Sequence, residues 1–325
     1  MNPFTYQEVV MAMNRIQFQP GLSLNEFLHQ YGTESQCEAA LEKARWPRGF
    51  ICPGCRSIGH CVVWHGRAKT FQCSCCRRQV TLKAGTIFHG SKLPLVTWFQ
   101  AIYFLTQSKN NTSALELKRL LGVCYRTAWR LKHKIMQTMC EREETTVLAQ
   151  RVEIDDAYLG GERSGGKVGR GSENKIPFIA AVETNADGHP LRVLFSPIQA
   201  FSGNEIETWA KRSLAPTATI ISDGLACFRS VESAGCLHLP EIVGSNRKST
   251  DMGCFHWVNT ILGNLKTAID GTYHGFKFEK YAHRYLAEVQ YRFNRRFDLR
   301  SILPRLLHAA VNTGKRPEAY LRMAG

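Results

Sequence analysis

Several things are scarce in this chain of 325 residues, and each scarcity excludes a class of protein. No apolar run approaches the roughly 20 residues that a membrane-spanning helix needs. The longest, residues 98–105, is already interrupted by Gln100, so no membrane partner is expected. The first twelve residues carry no basic stretch followed by an apolar core; they do not read as a secretory signal, and we expect a cytoplasmic chain. Long Ser, Pro or Gln tracts are missing. Hydrophobic residues make up 44% against 21% charged, so most of the chain should fold. At about 100 to 200 residues per domain, the length suggests two or three domains, each burying its own core. That excludes a small scaffold held together only by disulfides.

Acidic charge is the most informative deficit. Asp and Glu number 27 against 42 Lys and Arg, a net charge of +15 that asks for a polyanionic partner. Up to Gln150 there are 19 basic and 9 acidic residues, and beyond it 23 and 18, so the positive field is concentrated in the N-terminal part.

Twelve cysteines are present, and four fall as Cys52-Pro-Gly-Cys55 and Cys73-Ser-Cys-Cys76. The spacing is C-x2-C-x17-C-x2-C. Two such knuckles supply the tetrahedral thiolate set that Zn2+ accepts, with no coordination position left open, so the ion is expected to be structural. The two-residue spacing favours Cys76 over its neighbour Cys75. Between the knuckles, Val62, Val63, Trp64, Thr70 and Phe71 are β-formers around a polar turn, which predicts a small metal-held hairpin sheet, a zinc ribbon. The remaining cysteines show no pairing pattern.

Helical periodicity follows. Trp98, Ile102 and Leu105 share one face; Asn111-Thr-Ser113 is a cap signal before Leu117, Leu120 and Leu121; Gly122-Val123 breaks the pattern; a second run covers residues 125–139. Helix, short Gly-containing turn and helix is the layout of a helix-turn-helix. The second helix carries Arg126, Arg130, Lys132 and Lys134 around Ala128, Leu131 and Ile135, as a helix packed on one side and offering cations to DNA on the other requires. An ordinary helical hairpin with a solvated basic face is the alternative.

Residues 141–144 read as a linker. Beyond them, residues 151–156 alternate and end in Asp155-Asp156, and residues 160–174 form a glycine-rich cationic loop. Two further strands are expected at 176–182 and 191–198, a helix at 204–214, and a buried strand at 218–222 that delivers Asp223-Gly224. This order implies a mixed α/β sheet. If Asp155 and Asp223 end adjacent strands, their carboxylates meet at one rim and suit Mg2+, a hard cation that activates water or hydroxyl for attack on a phosphodiester. A third ligand is expected from a helix near that rim. The candidate spans residues 257–269, where Asn259 and Lys266, two turns apart, share a face.

Taken together, CPGC, CSCCRRQ with GTIFHGSKLPL, VEIDDAYLGG with GRGSENK, ISDGLACF, HWVNTILGNLK with GTYHG, and YAHRYLAEVQYRFNRRF resemble the zinc-ribbon-bearing bacterial insertion-sequence transposases of the ISXO2-like group. The resemblance implies a ribonuclease H-like catalytic domain preceded by a zinc ribbon and a helix-turn-helix. It further implies that Asp155, Asp223 and Asn259 bind catalytic Mg2+ or Mn2+, with Lys266 as the basic residue after the third. Most such enzymes carry glutamate at the third position; asparagine ligates but adds no charge. Asn264 is the rival position, and Asp156 reads as a supporting carboxylate.

The implied activity is cleavage and strand transfer at the ends of an insertion sequence, with double-stranded DNA as partner and a homo-oligomer assembling on it. A non-catalytic DNA-binding regulator and a stand-alone Mg-dependent nuclease are the alternatives. The expected division is a helical segment over 1–46, zinc ribbon over 47–88, helix-turn-helix over 89–145, catalytic domain over 146–275 and a basic helical extension over 276–325. DNA contacts are expected from Arg126, Arg130 and Lys134, and from Arg284, Arg292, Arg295, Arg296 and Arg300 along the C-terminal helix.

Overall fold

Two capping boxes start the first two helices among the described residues. Ser23 and Glu26 satisfy each other's backbone N–H groups, as do Thr33 and Gln36, which fixes α1 (Leu24–Tyr31) and α2 (Glu34–Arg45). The structure is a computed structural model that describes residues 14–66, 68–108, 110–160, 175–241, 253–273 and 276–323.

After α2 come β1 (His60–His65), β2 (Ala68–Cys73) and β3 (Gln79–Thr81), a three-stranded antiparallel sheet in that order. The Arg45 guanidinium ties this sheet to α2 by donating to the carbonyls of Thr81, Leu82 and Ala84. Helix α3 (Leu95–Gln107) follows Pro94, which offers no side-chain cap; the Glu34 carboxylate instead accepts from the N–H groups of Leu95 and Val96. Helix α4 (Ala114–Leu121) is capped by Ser113 and stopped by Gly122 at φ 64°, a left-handed conformation suited to glycine, and α5 (Tyr125–Glu143) follows directly.

Residues 141–144 are therefore no linker. They finish α5, and Glu143, 4% exposed, accepts from Gln290, Asn294 and Arg295. A buried carboxylate with three donors holds the helix end in place.

The second sheet contains β4 (Arg151–Leu159), β5 (Ile176–Thr184), β6 (Pro190–Pro197), β7 (Thr219–Ser222) and β8 (Leu237–Pro240), in the order β6-β5-β4-β7-β8. Strand β4 lies at its centre, antiparallel to β5 and parallel to β7. The mixed α/β class expected from the element order is thus present. Strand β8 and the 3-10 segment Ala226–Ala234 before it are short and were not anticipated. Alternation sends Val152, Ile154, Ile179, Ala181 and Ile220 to one face, against α6 (Gly203–Ser213) and the 3-10 segment. Ala157, Phe178, Ala180, Val182 and Ile221 go to the other, against α7 (His256–Tyr273) and α8 (Phe278–Asn294).

The last helices, α9 (Ile302–Asn312) and α10 (Glu318–Arg322), turn back to the N-terminal body. Leu303, Leu306 and Leu307 join Phe27, Leu41, Phe71, Trp98 and Leu131 in one buried cluster. Of the glycine-rich loop expected over residues 160–174, all but Gly160 lies outside the described residues, as do His274 and Gly275 of the GTYHG stretch. Among the described residues, no helix is long and apolar enough to cross a membrane.

Candidate active site and metal centre

The two cysteine knuckles close on each other. The sulfurs of Cys52, Cys55, Cys73 and Cys76 all lie within 4.8 Å of one another, and that of Cys75 is outside this group. Each knuckle is a tight turn: Arg56 N donates to Cys52 O at 2.9 Å and Arg77 N to Cys73 O at 3.1 Å. Both arginines take left-handed backbone angles, φ 65° and 59°. Backbone N–H groups of Cys76 and Cys75 aim at Cys73 and hold its thiol down to about 6; N–H groups in the first knuckle lower Cys52 in the same way. Four clustered sulfurs, two of them held down by backbone N–H groups, suit Zn2+ in a closed structural site.

The second site begins at β4. Alternation along this strand puts Arg151, Glu153 and Asp155 on the face covered by α7. Strand β7 pairs parallel to β4, with Ile221 opposite Glu153, and so delivers Asp223 to the same edge. Carboxylate oxygens of Asp155, Asp156 and Asp223 lie within 4.8 Å of one another, and all three residues are half-buried. Asp155 accepts from Asp156 N at 2.9 Å, and Asp223 from Leu225 N at 3.1 Å. The turn after β7 needs Gly224, at φ 83°, and is braced by Ser222, whose hydroxyl accepts from Gly224 N and pairs with His238 Nε2 at 2.8 Å.

Burial, then repulsion from Asp156 and Asp223, pushes the Asp155 carboxyl up to about 7, and Lys266 pulls it back. That influence places Lys266, exposed on α7, within electrostatic reach of the acidic cluster. Asn259 sits in the first turn of α7, half-buried, and its amide nitrogen is buried without a partner. Rotating the amide by 180° exchanges its two ends, so that turn offers either an oxygen or an N–H to a group from outside the protein. Asn264 is exposed. Three clustered carboxylates, whose mutual repulsion a cation would relieve, fit a hard divalent ion.

Sequence reasoning missed the residue that docks α7 onto this face. Glu153, 1% exposed, accepts from Trp257 N and Val258 N at 3.0 Å each and from Arg151 at 2.9 Å. In an alternating strand a glutamate reads as solvent-facing, and nothing local marks it as a cap for a helix a hundred residues on.

The expected DNA contacts divide. Arg126 and Arg130 are exposed on α5, yet both lie against Glu318 of α10, at 3.0 and 3.6 Å. Lys134 donates to Ile87 O at 2.8 Å, and Lys132 is fully buried against Glu288 and Tyr273.

The C-terminal arginines depart from an open DNA path. Arg292 donates to the carbonyls of Ser108 and Asn110, Arg295 to Glu143, and Arg296 to the carbonyls of Pro190 and Leu191. Arg284 is buried against Gln137 and Leu321 O, and Arg300 pairs with Glu26. Helix α8 is wedged between α5 and β6, and the guanidiniums at its C-terminal end brace the wedge by reaching the segments on both sides.

Residues 147–294 match the family described as the ISXO2-like transposase domain, and residues 32–79 match the transposase zinc-ribbon domain. The two matched stretches are those of a transposase zinc ribbon followed by an ISXO2-like transposase domain. It is also 27% identical, over 214 residues, to a protein of Halobacterium salinarum described as an uncharacterized protein in transposable element ISH50, covering 60% of this chain and 69% of that one. A solved chain from a pre-cleavage Mos1 transpososome is 10% identical, over 66% of this chain and 77% of that one, at a TM-score of 0.18, too low to support any inference. The ribbon match takes in the four clustered cysteines, and the transposase-domain match takes in Asp155, Asp223, Asn259 and Lys266.

Proposed function

We propose that this chain is a transposase that cleaves and joins DNA at the ends of an insertion sequence, using a metal-dependent site built from Asp155, Asp223 and Asn259. The convergence of Asp155 and Asp223 on the face covered by α7 carries this reading. The sheet order, an antiparallel β4-β5-β6 meander extended by parallel β7 and β8, supports a ribonuclease H-like domain.

Asp155, midway along β4, and Asp223, just past the end of the parallel β7, would hold the cation, and Asn259 would complete the set from the first turn of α7. Bound Mg2+ or Mn2+ supplies the charge that activates a water or a 3′-hydroxyl and stabilises the leaving oxygen. Lys266, two turns along α7, holds a phosphate beside the scissile bond. The exposed Arg126 and Arg130 of α5 contact backbone phosphates of the terminal inverted repeats, and the zinc-held ribbon supports that grip. The protein acts on double-stranded DNA as a homo-oligomer assembled on it.

The deciding experiment incubates the purified chain with a duplex carrying the repeats that flank its gene, in Mg2+ and in EDTA. Mg2+-dependent nicking at the repeat end is expected, lost in Asp155→Ala and in Asp223→Ala. Wild-type nicking in either variant refutes the site, and binding without nicking by the wild-type chain refutes the activity.

A further inference from the structure

Helix α7 is the one catalytic-domain helix that carries residues assigned to the proposed site, and the start of its first turn is pinned by two side chains of a single strand. Glu153 Oε2 accepts from Trp257 N and Val258 N, both at 3.0 Å. Glu153 Oε1 accepts from Arg151 Nη1 at 2.9 Å, and Arg151 Nη2 donates to Cys254 O at 3.2 Å, in the 3-10 turn Gly253–Phe255 that leads into α7. The strand thus holds the helix entry at two points, accepting from N–H groups that have no intrahelical partner and donating to a carbonyl just before them. A carboxylate there also meets the positive end of the helix dipole.

The geometry has a specific consequence. Glu153 and Asp155 are two residues apart on the same strand face, and the last N–H that Glu153 holds belongs to Val258, the residue before Asn259. The register between Asp155 and Asn259 therefore runs through one buried side chain.

We infer that Glu153 is a positioning residue of the metal site, acting through the first turn of α7 to set Asn259 against Asp155. This rests on the proposed function above. It assigns Glu153 no contact with metal or DNA.

The test titrates Mn2+ into the full chain without DNA, following the free-ion signal by electron paramagnetic resonance, with nicking kinetics alongside. Glu153→Ala is expected to weaken Mn2+ binding about tenfold and to lower kcat for nicking far more than it changes KM for the duplex. Glu153→Gln keeps one oxygen for the α7 N–H groups and is expected to fall in between. Because Glu153 acts through Asn259, the double variant Glu153→Ala/Asn259→Ala should bind Mn2+ no more weakly than Asn259→Ala alone.

Wild-type Mn2+ affinity in both Glu153 variants overturns the inference, even if their melting temperatures drop. So does an additive loss in the double variant. Should Glu153→Ala fail to fold, Glu153→Gln decides by the same reading. Asp155→Ala separates the two levels: if it binds Mn2+ as tightly as wild type, the metal site itself is refuted, whatever Glu153 does.

Discussion

Glu318 receives the Arg126 guanidinium through both carboxylate oxygens, at 3.0 to 3.3 Å, and the same side chain takes Arg322 and faces Arg130. These arginine hydrogen bonds lower the ionisation of Glu318, so it stays charged at neutral pH. The two cations of α5 best placed for phosphate are therefore already partly neutralised. Glu318→Gln is expected to tighten DNA binding about fivefold at moderate salt and to steepen the plot of log affinity against log salt by about one. Fluorescence anisotropy over a salt series measures both; an unchanged slope would show that DNA does not use these arginines.

Asp155 gives a pH signature in the metal-free chain. Its folded pKa, about 7, lies above the ordinary value of 3.8. For an acid shifted upward, the stability contribution is full below the ordinary value and is lost as pH rises through the folded value. Metal-free protein should lose stability between pH 4 and 8, and Asp155→Asn should raise the melting temperature at pH 8 while leaving it unchanged at pH 4. Thermal scans in EDTA at the two pH values check this. Mn2+ binding should strengthen as pH rises through 7, because the cation competes with the Asp155 proton.

Lys132 and Glu288 are both fully buried, 2.8 Å apart, with the Tyr273 hydroxyl donating to the same carboxylate. They join α5 to α8 and to the far end of α7. Lys132→Met alone leaves a buried carboxylate short of its cation and is expected to cost about 3 to 5 kcal/mol. The double variant Lys132→Met/Glu288→Leu should recover most of that. Urea unfolding of the three variants measures it, and equal losses in single and double variants would contradict the account.

Zinc content should be about one ion per chain and fall towards zero in Cys52→Ser, as read by elemental analysis. Cys75→Ser should keep the metal, since its sulfur lies outside the cluster.

What the sequence made legible was what depends on near neighbours. The C-x2-C knuckles, the capping boxes, the Ser113 cap with its Gly122 stop and the apolar alternation around Ile154 all follow from contacts a few residues apart. The acidic pair was legible only in part: Asp223 does follow a recognisable buried strand, but the strand end expected at Asp155-Asp156 lies inside β4, which runs on to Leu159 because it stays paired with β5. The arginines of α8 misled because a basic helix face looks the same whether it meets solvent or backbone carbonyls, and the carbonyls that Arg292 and Arg296 meet lie more than a hundred residues away. Glu143 and Glu153 misled for the complementary reason: charge in a short polar stretch or an alternating strand reads as exposure, and only the donors brought by α8 and α7 make burial tolerable. The carboxylate of Asp156, read as a supporting one, lies within reach of Asp155 and Asp223.

The packing of α9 among the first helices affects the order in which the molecule can be completed. Phe27, Leu41 and Trp98 leave the ribosome roughly two hundred or more residues before Leu303, Leu306 and Leu307, which share their core. At about 5 to 20 residues per second, that apolar surface waits ten seconds or more for its cover. The central sheet needs no such partner from α9 and can close in the meantime. The half of the chain made first is the half finished last.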